Sequence, residues 1–186
     1  MNLREILTQR ITMRDIHMIC RACETPDGER MKTELYNLIT DHDNRVGYQA
    51  LWIMTHFNDE EIIRLLPKRE MLTDILLTTD HTGKKRLILT LLERMPADKG
   101  SIRTDYLDFC LSRINSTEPY GIRALCMKQA FTLCRFYPEL TGELAAQLEL
   151  LGYGELSPGL LTARRNILRR ISKLKDTPQK PEGSDR

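Results

Sequence analysis

The sequence predicts an all-α protein, a short right-handed α-solenoid of antiparallel helix pairs. Three observations predict it. Of 186 residues, 41% are hydrophobic but only 6% aromatic, with ten Gly and eight Pro; a β-rich fold wants more aromatic and turn residues than this. Helix-breaking clusters cut the chain into segments of helical periodicity. Those segments repeat at a spacing of 39 residues, the sign of stacked units rather than an irregular bundle. The length fits one domain, or one with a small appendage.

The elements follow in order. Asn2 caps a first helical segment, and Thr12 with Asp15 forms a capping box for a second that runs toward Glu24. Thr25-Pro-Asp-Gly28 breaks it, and helical periodicity resumes over 30–40. After Asp41-His42-Asp43-Asn44, an apolar helix spans 45–57. Asn58-Asp-Glu-Glu supplies an acidic helix start, which complements the helix dipole, and Pro67 ends or kinks that helix. Further helices are predicted at 69–79, 83–95, 102–115, 121–136, 139–151 and 159–175. Residues 176–186 hold no apolar side chain to bury and are expected to be a disordered tail.

The period rests on matched columns. Leu-Ile-Thr-Asp-His at 38–42 returns as Leu-Thr-Thr-Asp-His at 77–81, each time between a first and a second helix. The same shift of 39 aligns Tyr48, Leu87 and Cys126, and Trp52, Leu91 and Ala130; a further 41 residues reach Ile167 and Ile171. Positions four apart share one helix face, so each second helix is expected to carry an apolar stripe toward its neighbours, with Trp52 in the core. On the first helices Tyr36, Ile75 and Ile114 keep the step.

Helix pairs at this spacing resemble HEAT or armadillo-type repeats, and over 28–175 the chain resembles small bacterial HEAT-like proteins, with 1–27 as N-terminal capping helices. Such repeats place an Asp in the turn and an Arg or Lys early in the second helix; Asp41 with Arg45 and Asp80 with Lys84 resemble that pair. The third copy has Pro119 where the Asp should stand, and the fourth fits only after two extra residues. The resemblance implies that the second helices line a concave face.

Charge and chemistry narrow the function. Basic and acidic residues number 28 and 26, a net +2, so any cationic surface is local. No segment reads as a secretory signal, and the longest uncharged run, 46–58, is shorter than the ~20 residues of a membrane span. The chain is therefore expected to be cytoplasmic, with no membrane partner and its five cysteines reduced. Cys20-Arg-Ala-Cys23 lacks the further pair that a four-ligand zinc site needs, and Ile16, Ile19 and Cys23 form a helical core stripe. His42 and His81 stand beside turn aspartates, where an Asp is an ordinary cap. No Gly-rich phosphate loop, Ser nucleophile elbow or HExxH occurs. No catalytic residue, metal or cofactor is assigned.

The functional signal is a basic column. Arg45, Lys84, Arg123 and Arg164, spaced 39, 39 and 41 residues apart, occupy equivalent points early on successive second helices, and Lys85, Arg86, Arg165 and Arg169 widen the patch. Residues 159–186 carry eight basic against three acidic side chains. These residues are the candidate binding surface, or else they pair with turn acids and support stacking. The leading reading is a non-catalytic scaffold that binds another protein or an acidic peptide on the concave face. The second is a nucleic-acid binder resembling HEAT-like DNA glycosylases, which requires the column to be exposed.

Overall fold

The computed structural model describes residues 2–151 and 156–176, and no strand occurs among them. The helices are α1 (Leu3–Thr8), α2 (Met13–Cys23), α3 (Glu29–Leu38), α4 (Asn44–Met54), α5 (Asp59–Arg64), α6 (Arg69–Thr78), α7 (Thr82–Arg94), α8 (Thr104–Ile114), α9 (Tyr120–Cys134), α10 (Pro138–Glu149) and α11 (Pro158–Asp176). Their starts lie where the sequence offers capping groups. Asn2 Oδ1 accepts from the Glu5 amide, Thr12 and Asp15 form the reciprocal capping box, and Asn58 Oδ1 accepts from Glu61 N at 2.9 Å. In the turn copies the cap changes identity: Asp43 Oδ1 serves α4, whereas His81 Nδ1 accepts from Lys84 N to serve α7. Pro67 sits in a 3-10 turn, Leu66–Lys68, which separates α5 from α6. Of the expected disordered tail, 177–186 lie outside the described residues.

The chain divides into two compact units, Met1–Pro96 and Ala97–Arg186. In the first, α4 is surrounded. α1 packs on its N-terminal half, where Gln49 Nε2 donates to the Leu7 and Gln9 carbonyls and Gln49 Oε1 accepts from Ile11 N. α2 packs toward its other end, with Cys20 Sγ over the Ile53 carbonyl. α3 and α7 cover further sides. The result is a fully buried set that includes Leu7, Ile16, Leu35, Val46, Ala50, Ile53, Leu72 and Ile88. One ion pair lies inside it: Lys32 Nζ, 2% exposed, donates to Glu61 Oε2 at 3.0 Å and also meets Glu29. In the second unit α9 is the centre, packed by α8, α10 and α11 around Cys110, Cys126, Ala130 and Leu148.

The repeat columns are buried at Leu87, Leu91, Cys126, Ala130, Ile167 and Ile171. The first copy departs, because Tyr48 and Trp52 are only half-buried, as are Tyr36 and Ile75 on the first helices. Trp52 is therefore not the core residue its alignment implied: its side chain is half-exposed, flanked by the rings of Tyr48 and His56. Trp52→Ala should accordingly cost about 1–2 kcal/mol by urea denaturation, the value for half-burial of a large apolar side chain, and not the ~3–5 kcal/mol of a buried Trp.

Candidate interaction surface

Six of the sequence-predicted site residues, the column and its α11 flank, separate by exposure. Arg45, Arg165 and Arg169 face solvent, whereas Lys84, Arg123 and Arg164 are 6–8% exposed. The buried arginines are anchored on helix ends. Arg123 Nε donates to the carbonyl of Ile114, the last residue of α8, at 3.0 Å, and Arg164 Nε donates to Leu148 O at the end of α10 at 2.6 Å. Arg164 Nη2 reaches Glu149 O as well. The last carbonyls of a helix lack intrahelical partners and carry the negative end of its dipole, so a guanidinium there satisfies both needs. Thus in α9 and α11 the early arginine caps the first helix of its own pair.

The first unit solves the same position differently. Lys84 Nζ donates to Asn44 Oδ1 at 3.0 Å, not to Asp80, and burial lowers its pKa against the opposing pull of Asp41 and Asp43. Arg45 Nη1 reaches the Thr8 carbonyl, not Asp41. Asp41 instead takes a two-pronged pair from Arg4, Nε at 2.7 Å and Nη2 at 3.1 Å, and accepts from Asp43 N. The Arg4 hydrogen bonds hold the Asp41 carboxyl down to about 2. Neither Asp and cation pairing suggested by the resemblance therefore forms.

A second set of arginines escaped the sequence reading. Arg94, at the end of α7, donates to the Thr55 and Phe57 carbonyls and to Asp59, and Arg135, just past α9, donates to Ala97 O. Their spacing of 41 residues was the available signal. Each ties the end of a second helix to a loop nearer the N-terminus.

With the buried column withdrawn, other positions on the second helices meet solvent. On α7 these are Arg86, Thr90 and Glu93, and on α9 Lys128, Thr132 and Arg135, each set at steps of four and three along one helix face. On α4 they are Arg45, Tyr48, Trp52 and His56, the last just beyond the helix end. Trp52 stands 6.5 Å from Tyr48 and 6.2 Å from His56, ring centre to ring centre.

Reactive geometry is not assembled at the other sequence-flagged residues. All five cysteines are buried free thiols. Burial pushes Cys20 and Cys134 up to about 11 and Cys23 up to about 12. A nucleophilic or redox thiol needs the opposite shift. A thiol-reactive chromophore should therefore label almost none of the five within minutes in the native state and all five in denaturant. Among the described residues, no group of three His, Cys, Asp or Glu side chains could hold a metal ion, and no helix is long and apolar enough to cross a membrane.

No curated protein and no solved structure gives a match to this chain. A protein family does: the HEAT repeat domain matches residues 3–171, taking in every helix from α1 to most of α11. HEAT repeats serve generally as protein-interaction scaffolds. The 39-residue helix pairs, the all-helical architecture and this match over most of the sequence establish that the chain belongs to the HEAT repeat domain family.

Proposed function

We propose that this protein is a non-catalytic interaction module that binds another protein, or an acidic peptide segment, along the solvent-facing residues of the second helices α4 and α7. The observation that carries the reading is α4, a helix packed by α1, α2, α3 and α7 that leaves Tyr48 and Trp52 half-exposed on one face. Large aromatic residues left half-exposed on a helix face are the usual anchors of protein recognition, because they bury much area at little entropic cost. Arg45, one turn before Tyr48, remains accessible and supplies a cationic contact from the original column. The five reduced thiols favour a cytoplasmic setting.

Duplex binding is disfavoured, since Lys84, Arg123 and Arg164 are committed to groups within the fold and cannot also neutralise phosphates. The test is a photo-crosslinking side chain at Thr90, on the open face of α7. Irradiation in cells should give a discrete adduct that protease removes and nuclease leaves intact. An adduct shortened by nuclease, or none at all, would contradict this function.

A further inference from the structure

The open face of the first unit carries a feature that crosses three helices. Ring centres step from His17 on α2 to His56 at 6.4 Å, to Trp52 at 6.2 Å, to Tyr48 at 6.5 Å and to His81 at the start of α7 at 5.7 Å. Each step lies within the range of favourable aromatic contact, so the five rings form one continuous strip. None of them is fully buried. At the Tyr48 end the fit depends on Gly83, where a Cβ would stand 2.7 Å from the Tyr48 ring. At the His17 end the strip runs into an open pocket of about 620 Å³ lined by Arg14, His17, Met18 and Arg21, which occupy one face of α2, with Met18 51% exposed.

Around the pocket and Tyr48 the exposed charges are mainly basic, whereas Asp80 is exposed beside His81 at the far end of the strip. Arg14 and Arg21 flank the pocket and Arg45 lies one turn before Tyr48, all three exposed. α4 contains no acidic residue. The one acid within α2, Asp15, is occupied by the Thr12 amide and hydroxyl at 2.8 and 2.7 Å, which hold its pKa down. Asp43 accepts from Arg45 N as the cap of α4, and Glu24 holds Asn58. A cationic rim beside an apolar, polarizable floor complements carboxylates interspersed with apolar side chains.

We propose that this strip, from the Arg14, Met18 and Arg21 pocket along His17, His56, Trp52 and Tyr48, is the docking site for an acidic peptide segment of a partner protein whose apolar side chains alternate with Glu or Asp. The proposal rests on the interaction-module reading and specifies its site and ligand. A single-stranded nucleic acid fits less well. The rings lean on one another at 33–70°, closing the gaps that successive bases would need for stacking. An extended peptide asks for no such gaps, and twelve residues span ~40 Å, more than the four steps of the strip.

Trp52 is the sole tryptophan, so its emission reports on the strip directly. The intact protein is titrated with a twelve-residue peptide containing Glu and Leu in equal number, with a counterpart carrying Lys for each Glu, and with a twelve-nucleotide oligothymidylate. The Glu peptide should shift Trp52 emission to the blue and saturate, and the Lys peptide should bind at least tenfold more weakly. The double reversal Arg14→Glu with Arg21→Glu should weaken the Glu peptide at least tenfold while thermal melting stays unchanged, as both side chains are exposed. Calorimetric binding that leaves Trp52 emission and the reversal variant unaffected would overturn this site while leaving the interaction module standing. Absence of binding up to 1 mM by either readout, or tighter binding by the oligothymidylate with a shift of Trp52, would overturn the proposal outright. The Thr90 crosslink reports separately on the interaction-module reading.

Discussion

Lys32→Met should destabilise the protein by about 3 kcal/mol in urea denaturation, although it replaces a charged side chain in the interior by an apolar one of similar length. Lys32 and Glu61 are 2% and 4% exposed and share a 3.0 Å hydrogen bond. Burial alone drives the Lys32 pKa down, yet Glu29 and Glu61 more than offset it, and the net shift is upward. Methionine leaves the Glu61 carboxylate in a dry site with only Arg64 at 3.5 Å, and Arg64 is half-exposed and shared with Glu60. An uncompensated buried charge costs roughly 3–5 kcal/mol, and the Arg64 contact places this case at the lower end. Lys32→Met combined with Glu61→Leu should recover most of the loss, because the pair's own net contribution is small once both desolvation penalties vanish. A single variant within ~0.5 kcal/mol of the parent would show that the pair is hydrated.

Gly47→Ala should also destabilise, by about 2 kcal/mol, against the direction of helix propensity. Gly47 lies in the interior of α4, where Ala is favoured by ~1 kcal/mol. A Cβ there would meet the Ile39 carbonyl at 2.5 Å and Lys84 Nζ at 2.8 Å. The lysine head can move, but the carbonyl is backbone at the end of α3, so the helices must separate, and overpacking of this kind costs ~1–3 kcal/mol or more. Gly142, within α10, has nothing within 4 Å of its Cβ position and makes the internal control. Gly142→Ala should stabilise by ~1 kcal/mol. Equal gains at both positions, read by urea denaturation, would remove the close approach of α3 and α4 from the account.

The contrast at Gly47 shows what the sequence made legible. Helix starts were readable because caps act locally: Asn2, Thr12 with Asp15, and Asn58 do in the structure what their spacing indicates. The 39-residue period was readable because every unit must bury the same stripe, as Leu87, Leu91, Cys126 and Ala130 do. Position within a period did not determine exposure, though. Arg45 and Arg123 align, yet one reaches the Thr8 carbonyl from solvent and the other is sealed against Ile114. Which carbonyl is free at each helix end depends on three-dimensional packing, and a basic column looks the same in sequence whether it faces outward or inward. Trp52 failed for the same reason in reverse. Its column is buried at Leu91, Ala130 and Ile171, but the same position on α4 stays half-exposed.

The central claim is that cations early in the second helices hold helix ends, leaving recognition to the open faces. Its most direct test is thermal denaturation of Arg123→Ala beside Arg169→Ala. Arg123 makes a charge-assisted hydrogen bond to a helix-terminal carbonyl and is 8% exposed, whereas Arg169 is exposed. Loss of the buried bond should cost about 2 kcal/mol, lowering Tm by roughly 4–8 °C for a chain of this size. Arg169→Ala should stay within ~0.5 kcal/mol of the parent. An Arg123→Ala protein that melts with the parent would contradict the claim and return the column to the surface.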